Sequence, residues 1–444
     1  MKKLNITFCS FPDYSGNAKA LYEYMVKRYK DKMNYTWIVY NEDSVHLLKK
    51  YNIKSILIGT DEFKSYIPKT NVFFTTQGNL DRDKEKTKNG LYVELWHGIG
   101  YKNVGYLCKK PSYNDVIGYK HMSQIIDYFI VPSEFWKVVY AAKMNIPANR
   151  IVSLGMPRLD YLLEKDSRKK LQSIIDVDLD KYKKIIYYLP TYKKAFDHDE
   201  KSEYDKNIFS IRKYNEKELD DYLKKNKYLL VVKRHPAEQK EYLNINSDNI
   251  INLNDLILSN KKLSINEILD AADLLITDYS SVALDFLFLN KPILYCYGDL
   301  DSYLDNRGIV FENYDFWCAG PKFDNILSFM TESKKLLEDK NYYREIRNEK
   351  KTLWYSDLKN GGCKNICDYF FDEEGRIQKN IKIYDDIELK YKRENENLHI
   401  EMDKIERENS KLKKDLEIRE NEINVIVNSK SWKIMEKIRK IIRR

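Results

Sequence analysis

One run in the second half of the chain could do chemistry. Asp273-Leu274-Leu275-Ile276-Thr277-Asp278-Tyr279-Ser280-Ser281-Val282 ends an apolar strand in an acid and two hydroxyls, and Asp285-Phe286 and Lys291-Pro292 follow. The spacing predicts a strand that turns directly into a helix. Hydroxyls beside the unbonded N–H groups of a helix's first turn suit an anion such as phosphate. The competing reading is an ordinary helix cap, where Ser and Asp are favoured. Thr277, Asp278, Ser280 and Ser281 are therefore candidate anion-binding residues. The chain has no glycine-flanked serine turn of the hydrolase kind and no GxxxxGK[ST] run, which argues against both chemistries.

The six histidines are His46, His97, His121, His198, His235 and His399. His46, His198 and His399 lie in polar or charged surroundings and read as surface residues. His121 precedes an apolar strand and reads as structural. His97 follows Tyr92–Leu95 and precedes Gly98 and Gly100. A near-neutral imidazole at a glycine turn suits proton removal from an attacking hydroxyl. A structural or capping role is the alternative. Glu94 and Trp96 flank this turn as support. His235 follows Lys233-Arg234 at a strand end and precedes Pro236. Arg234 and His235 together offer charge and hydrogen bonds to phosphoryl oxygens; an exposed basic turn is the plainer reading. Asp299, Tyr303, Arg307 and Gly308 follow the next strand and would line the nucleotide side of a cleft. Ser15-Gly16-Asn17 reads weakly as an anion- or acceptor-facing loop.

These residues need a frame, and the hydrophobic pattern supplies one. Strands are expected at Leu4–Cys9, Thr36–Tyr40, Ile53–Ile58, Asn71–Thr75, Tyr92–Leu95, Ile125–Val131 and Ile151–Leu154, with a helix at Ala18–Tyr29. A second alternating set comprises Lys184–Leu189, Tyr228–Lys233, Ile250–Leu253, Leu274–Thr277 and Pro292–Tyr297. Helices are expected at Glu216–Asn226, Ile265–Ala271 and Ser281–Leu289, and Leu256–Leu258 reads as strand or turn. Strands alternating with helices predict two mostly parallel sheets, with ligand sites at the C-terminal strand ends. Residues 332–355 read as a helical closure.

A chain of 444 residues exceeds one ordinary core. The expected division is 1–165, 166–375, a coiled-coil helix at 376–428 and a basic tail at 429–444. The N-terminal apolar run is too short for a signal peptide, and no run of 18 apolar residues occurs. The six cysteines are scattered, with Cys363 and Cys367 four apart and no histidine close by. They read as reduced structural thiols in the cytosol, not as a metal site. Net charge is +9, which allows anionic partners without naming one.

The C-terminal part differs in character. Tyr391, Leu398, Ile405 and Leu412 recur every seven residues, as do Met402, Asn409, Leu416 and Ile423. With charge elsewhere, this predicts a coiled-coil helix that pairs in a homo-oligomer, with folding back on the body as the alternative. Asn409 and Arg419 fall on the seam. Ser429–Arg444 carries seven basic residues and one acid, with Trp432, Met435, Ile438 and Ile442 on one helical face. A basic amphipathic helix with a tryptophan reads as lying on an anionic membrane surface; a solvated helix end is the alternative. No nucleic-acid recognition module is present.

The ordered set Trp96-His97-Gly98, Gly155-Met156-Pro157-Arg158-Leu159-Asp160, Leu189-Pro190-Thr191-Tyr192-Lys193, Lys233-Arg234-His235-Pro236, Thr277–Val282 with Asp285-Phe286, and Pro292 through Tyr303 to Gly308 resembles the CDP-glycerol glycerophosphotransferase family of teichoic acid primases and polymerases. The resemblance spans about residues 90–315. It departs at Tyr192, where members often carry tryptophan, and at Ile99-Gly100, where a polar residue or proline is common. The resemblance implies an α/β fold of the GT-B type, two Rossmann-like domains facing a cleft, with the donor held mainly by the second. It implies His97 as general base and His235 as a phosphate contact. Gly98, Arg234, Thr277, Asp278, Ser280, Ser281, Asp299 and Arg307 would bind a CDP-polyol donor. No cofactor and no protein-bound metal are expected. The acceptor would be a lipid-linked polyol phosphate or glycan at the cytoplasmic face of the cell membrane, where a peripheral enzyme would meet it. A nucleotide-sugar glycosyltransferase of the same architecture is the alternative, and a membrane scaffold built on a degenerate transferase is a third reading.

Overall fold

The structure, a computed structural model, describes residues 3–77, 90–191, 207–211, 213–234, 247–297, 300–311, 313–355, 361–372 and 376–442. The first sheet contains β1 (Leu4–Cys9), β2 (Met33–Val39), β3 (Ser55–Leu57), β4 (Val72–Thr75), β5 (Leu91–Glu94), β6 (Tyr128–Val131) and β7 (Ile151–Ser153). Their order is β3-β2-β1-β4-β5-β6-β7, and every pairing is parallel. The second sheet contains β8 (Lys184–Tyr188), β9 (Tyr228–Val232), β10 (Ile250–Asn252), β11 (Leu274–Thr277), β12 (Ile293–Cys296) and β13 (Lys322–Phe323). Its order is β10-β9-β8-β11-β12-β13, again all parallel. Parallel strands need crossover helices, which cover both faces and explain why β9, β11 and β12 read as unbroken apolar runs.

In each sheet the strand order reverses once, between β1 and β4 and between β8 and β11. The crevice outside the C-terminal strand ends at such a reversal is where open α/β sheets bind ligands. In the second sheet the reversal brings residues 189–191 against Thr277 and Asp278. This is the GT-B-like arrangement of two parallel α/β sheets.

The segment after β5 joins the two sheets. Asn103 N–H donates to the Gly308 carbonyl (3.1 Å) and Val310 N–H to the Tyr101 carbonyl (2.7 Å). A buried ion pair adds to this, Lys19 Nζ to Glu267 Oε2 at 2.5 Å. Both sheets belong to one compact unit, Met1–Ile377.

Two local expectations change. Leu256–Leu258 is neither strand nor turn but part of a helix, Asp255–Asn260, begun by Asn254, whose side chain accepts from Ile257 N–H. The helical closure is two helices, Ile326–Glu338 and Arg344–Trp354, parted near Tyr343, which takes a left-handed conformation.

A second unit, Gln378–Arg444, is helical. The helix Arg376–Asn428 is 53 residues long, about 80 Å at the α-helical rise. It stops at Ser429, and Lys430–Ile442 begins a new helix. Ser429 Oγ accepts from Trp432 N–H (3.2 Å). Leu398, Met402, Ile405, Leu412, Leu416 and Ile423 are all exposed. Among the described residues no helix is long and apolar enough to cross a membrane.

Candidate active site

His97 stands just past the C-terminal end of β5, on a turn that the backbone alone would not favour. Trp96 has φ +53°, a left-handed conformation that costs a bulky residue energy. Buried groups hold it there. Glu94 Oε1 accepts from Trp96 N–H (2.7 Å), and Asn17 Nδ2 donates to the carbonyls of Leu95 (3.0 Å) and Trp96 (2.7 Å). Ser15–Asn17 is not a loop but the start of the helix Gly16–Tyr29, and Asn17 is fully buried, its side chain turned inward. Gly98 has φ +135°, and a Cβ there would lie 2.2 Å from the Arg158 guanidinium, so only glycine fits. Gly100 is under no such constraint; a Cβ there would meet Ser281 Cβ at 3.6 Å, an ordinary contact.

The His97 ring packs on Trp96, with centroids 4.3 Å apart. Its Nδ1 lies 3.2 Å from the Thr76 carbonyl. With Nδ1–H donating to that oxygen, Nε2 carries the lone pair. The residue is exposed, yet much protein surrounds the ring. That loss of hydration lowers the imidazole from 6.5 to about 4; the Thr76 carbonyl opposes the shift, and the cations of Arg158 and Lys102 add to it. Solvent at the open face tempers the fall without reversing it. The His97 imidazole is thus favoured in its neutral form near pH 7.

Arg158 ties this turn to the second sheet. Its guanidinium donates to the His97 carbonyl and pairs with Asp285 at 2.6 Å. Asp285 also accepts from Asn266 Nδ2 (3.0 Å). Lys102 Nζ donates to Thr191 Oγ1 (3.1 Å), and burial lowers its ammonium to about 8, with Asp278 opposing and Arg307 adding.

The residues after β11 divide into two groups. Thr277 is fully buried and its hydroxyl donates to the Leu189 carbonyl (2.7 Å). Asp278, 1% exposed, accepts from Thr191 N–H at Oδ1 (2.8 Å). Its main-chain oxygen accepts from the hydroxyls of Tyr101 (3.3 Å) and Tyr314 (3.1 Å). These two residues lock the reversal-point loops together. Ser280 and Ser281 are half-buried, and Ser281 makes no side-chain cap. Their main-chain oxygens accept from Ala283 N–H (3.2 Å) and Leu284 N–H (3.0 Å), which leaves the hydroxyls to other partners. The following helix, Val282–Phe288, has only seven residues.

Arg234 follows β9, with its guanidinium 3.3–3.4 Å from the carbonyls of Ile208 and Asn207. Arg307 follows the helix Leu300–Asn306 and is half-buried. Gly308 beside it has φ +74° and abuts Asn103 and Lys109. His235 and Asp299 lie outside the described residues. The structure brings Ser281 against Gly100 and Asp278 against Tyr101, on the loop that carries His97 and Gly98. It also adds Lys102, Tyr140, Lys143 and Arg158, which the sequence had not singled out for chemistry, and gives Asn17 a supporting place instead of a ligand-facing one. Only Arg158 carried a signal, its place after Gly155-Met156-Pro157.

The chain matches the model of the family CDP-Glycerol:Poly(glycerophosphate) glycerophosphotransferase over residues 1–371. It is 30% identical over 319 residues to the teichoic acid glycerol-phosphate primase of Bacillus subtilis (strain 168), covering 68% of this chain and 76% of that one. It is 26% identical over 375 residues to the teichoic acid glycerol-phosphate transferase of Staphylococcus aureus (strain NCTC 8325 / PS 47), covering 81% and 90%. Its fold is similar to that of the wall teichoic acid polymerase TagF, with TM-score 0.65 and 22% identity over 86% of this chain and 90% of that one.

The charge state of His97 is open to direct measurement. In a proton NMR titration of the six histidine rings, the His97 signal should move with a midpoint well below 6.5, toward about 4. Lys102→Met, which removes a nearby cation, should raise that midpoint. A midpoint at or above 6.5 contradicts the neutral base.

Proposed function

The chain belongs to the CDP-glycerol:poly(glycerophosphate) glycerophosphotransferase family, and we propose how its residues carry out the transfer. The reaction moves glycerol phosphate or ribitol phosphate from a CDP-activated polyol to a polymer or lipid acceptor in teichoic-acid-type synthesis. The acceptor hydroxyl attacks the phosphorus that bears the polyol. A new O–P bond forms, the P–O bond to CMP breaks, and its electron pair leaves on the CMP phosphate. The hydroxyl proton passes to Nε2 of His97. The observation that carries this reading is the His97 ring at the end of β5, held by the Thr76 carbonyl at Nδ1 with Nε2 left to a substrate, in surroundings that lower its affinity for a proton. A base needs that state before substrate binds.

The hydroxyls of Ser280 and Ser281 and the cations of Arg234 and Arg307 would receive the donor's phosphates, with Gly98 allowing close backbone approach. Thr277 and Asp278 serve the donor by fixing the loop that carries the serines. His235 and Asp299 keep their proposed roles as phosphate contact and donor contact by family resemblance. The lobes divide near residue 165, the first facing the acceptor and the second the donor.

The tail supports a peripheral position at the cytoplasmic membrane face. Trp432, Met435 and Ile438 are exposed on a helix that carries five basic residues and one acid. Such a helix binds anionic lipid through its apolar face and its charge. The exposed heptad residues of Arg376–Asn428 suit pairing with a second copy of the same helix.

Purified protein offered CDP-glycerol, CDP-ribitol, UDP-glucose and GDP-mannose with a lipid-linked acceptor should release CMP from a CDP-polyol alone. His97→Ala should lower that rate about 10²–10⁴-fold, the usual share of a general base, while CDP-glycerol still binds. Nucleotide release only from a sugar donor would move the chain to glycosyl transfer. For the tail, sedimentation with anionic vesicles should recover the full chain and lose the chain ending at residue 428. Equal recovery of both would remove the tail's role as anchor.

A further inference from the structure

Four side chains hold one short loop by its carbonyl oxygens. Asn17 Nδ2 donates to the Trp96 carbonyl (2.7 Å), the Arg158 guanidinium to that of His97, Tyr140 OH to that of Gly98 (3.0 Å) and Lys143 Nζ to that of Gly100. They come from three separate segments, the helix Gly16–Tyr29, the helix Glu134–Met144 and the turn Pro157–Leu163. In a trans peptide the next N–H points opposite the carbonyl. Fixing the carbonyls of Trp96, His97 and Gly98 therefore fixes the N–H groups of His97, Gly98 and Ile99 toward the other side.

Those three N–H groups meet no acceptor among the described residues, although Gly98 and Ile99 are buried. Buried N–H groups without a partner are rare, and successive ones in a turn are a known anion-binding shape. Positive φ at Trp96 and Gly98, on either side of His97, gives the turn its shape. The surroundings are cationic. Lys143 is 1% exposed and has no carboxylate within salt-bridge distance among the described residues. Burial lowers its ammonium to about 7, and Arg307 adds to the shift. Arg307 acts on Lys102 in the same way. Ser281, from the second sheet, packs against Gly100.

We propose that the N–H groups of His97, Gly98 and Ile99, with the Lys102 ammonium, seat the phosphoryl group in transit, and that Lys143 is a positioning residue that anchors the far end of this loop through the Gly100 carbonyl. The proposal rests on the transferase reading above. The seat lies on the loop that carries the base. The attacking hydroxyl must lie within hydrogen-bond reach of the base, and the attacked phosphorus is next to that hydroxyl. The non-bridging oxygens of the polyol-bearing phosphate are the anion placed there. Their negative charge is met by the seat while the bond to CMP breaks.

CDP carries this second phosphate and CMP does not, so the pair of nucleotides isolates the seat. Calorimetric titration of the full chain should show CDP binding tighter than CMP. Lys102→Met and Lys143→Met should each lower CDP affinity about 10-fold or more, the scale of a lost charge-assisted hydrogen bond, with CMP affinity held within about two-fold. A merely structural Lys143 would weaken both nucleotides together or neither. Should Lys143→Met fail to fold, the half-exposed Lys102→Met carries the same test. An unchanged CDP-to-CMP ratio in the folded variants overturns the seat and leaves the transferase reading standing. Binding of neither nucleotide by the unaltered chain overturns both.

Discussion

Everything at the site depends on one buried ion pair, Arg158 with Asp285 at 2.6 Å, whose side chains are 10% and 4% exposed. Each member has a second task. Arg158 donates to the His97 carbonyl and, through its main-chain N–H, to Asn17 (3.0 Å). Asp285 accepts from Asn266 on the helix Ile265–Ile268. The pair thus links the exit of β7, the helix after β11, the base-bearing turn and the first helix of the chain. A buried pair gains little net stability over apolar residues, because both ions lose hydration. Removing one partner costs far more, about 3–5 kcal/mol, because a bare charge remains. Such a pair enforces geometry, and here the geometry is the placement of the His97 turn against the helix that carries Asp285.

The electrostatics follow from that geometry. Loss of hydration lowers the His97 imidazole, and the nearby cations of Arg158 and Lys102 add to the shift. The same cations suit a doubly phosphorylated donor, whose binding relieves their mutual repulsion. Trp96 is strained at φ +53° and is held by Glu94 and Asn17. Strain of this kind persists only where surrounding groups over-determine it, and such places cluster at active sites.

Much of the frame was legible in sequence because parallel strands announce themselves as apolar runs. Leu4–Cys9, Glu216–Asn226 and Leu274–Thr277 fall where the pattern put them. The helix Asp255–Asn260 was missed because three apolar residues carry no period, and its start rests on the Asn254 cap. Of the site, the His97 turn and the Ser280-Ser281 pair were visible as local runs. The supports were not. Asn17, Lys143 and Arg158 reach His97 or its neighbours from 43 to 79 positions away in sequence, distances that local patterns do not encode. Gly100 looked like a partner of Gly98, but the strained residue is Trp96, whose type gives no hint of a left-handed turn.

The most direct measurement is a double-mutant cycle on Arg158 and Asp285, read as kcat for CMP release, with CMP binding as the check on folding. Arg158→Met and Asp285→Asn should each slow turnover, and the double variant should be little slower than the worse single one. That corresponds to a coupling of about 2 kcal/mol, within the range for groups in direct contact. Losses that simply add would mean the two residues act independently, and the pair would not be what places the base.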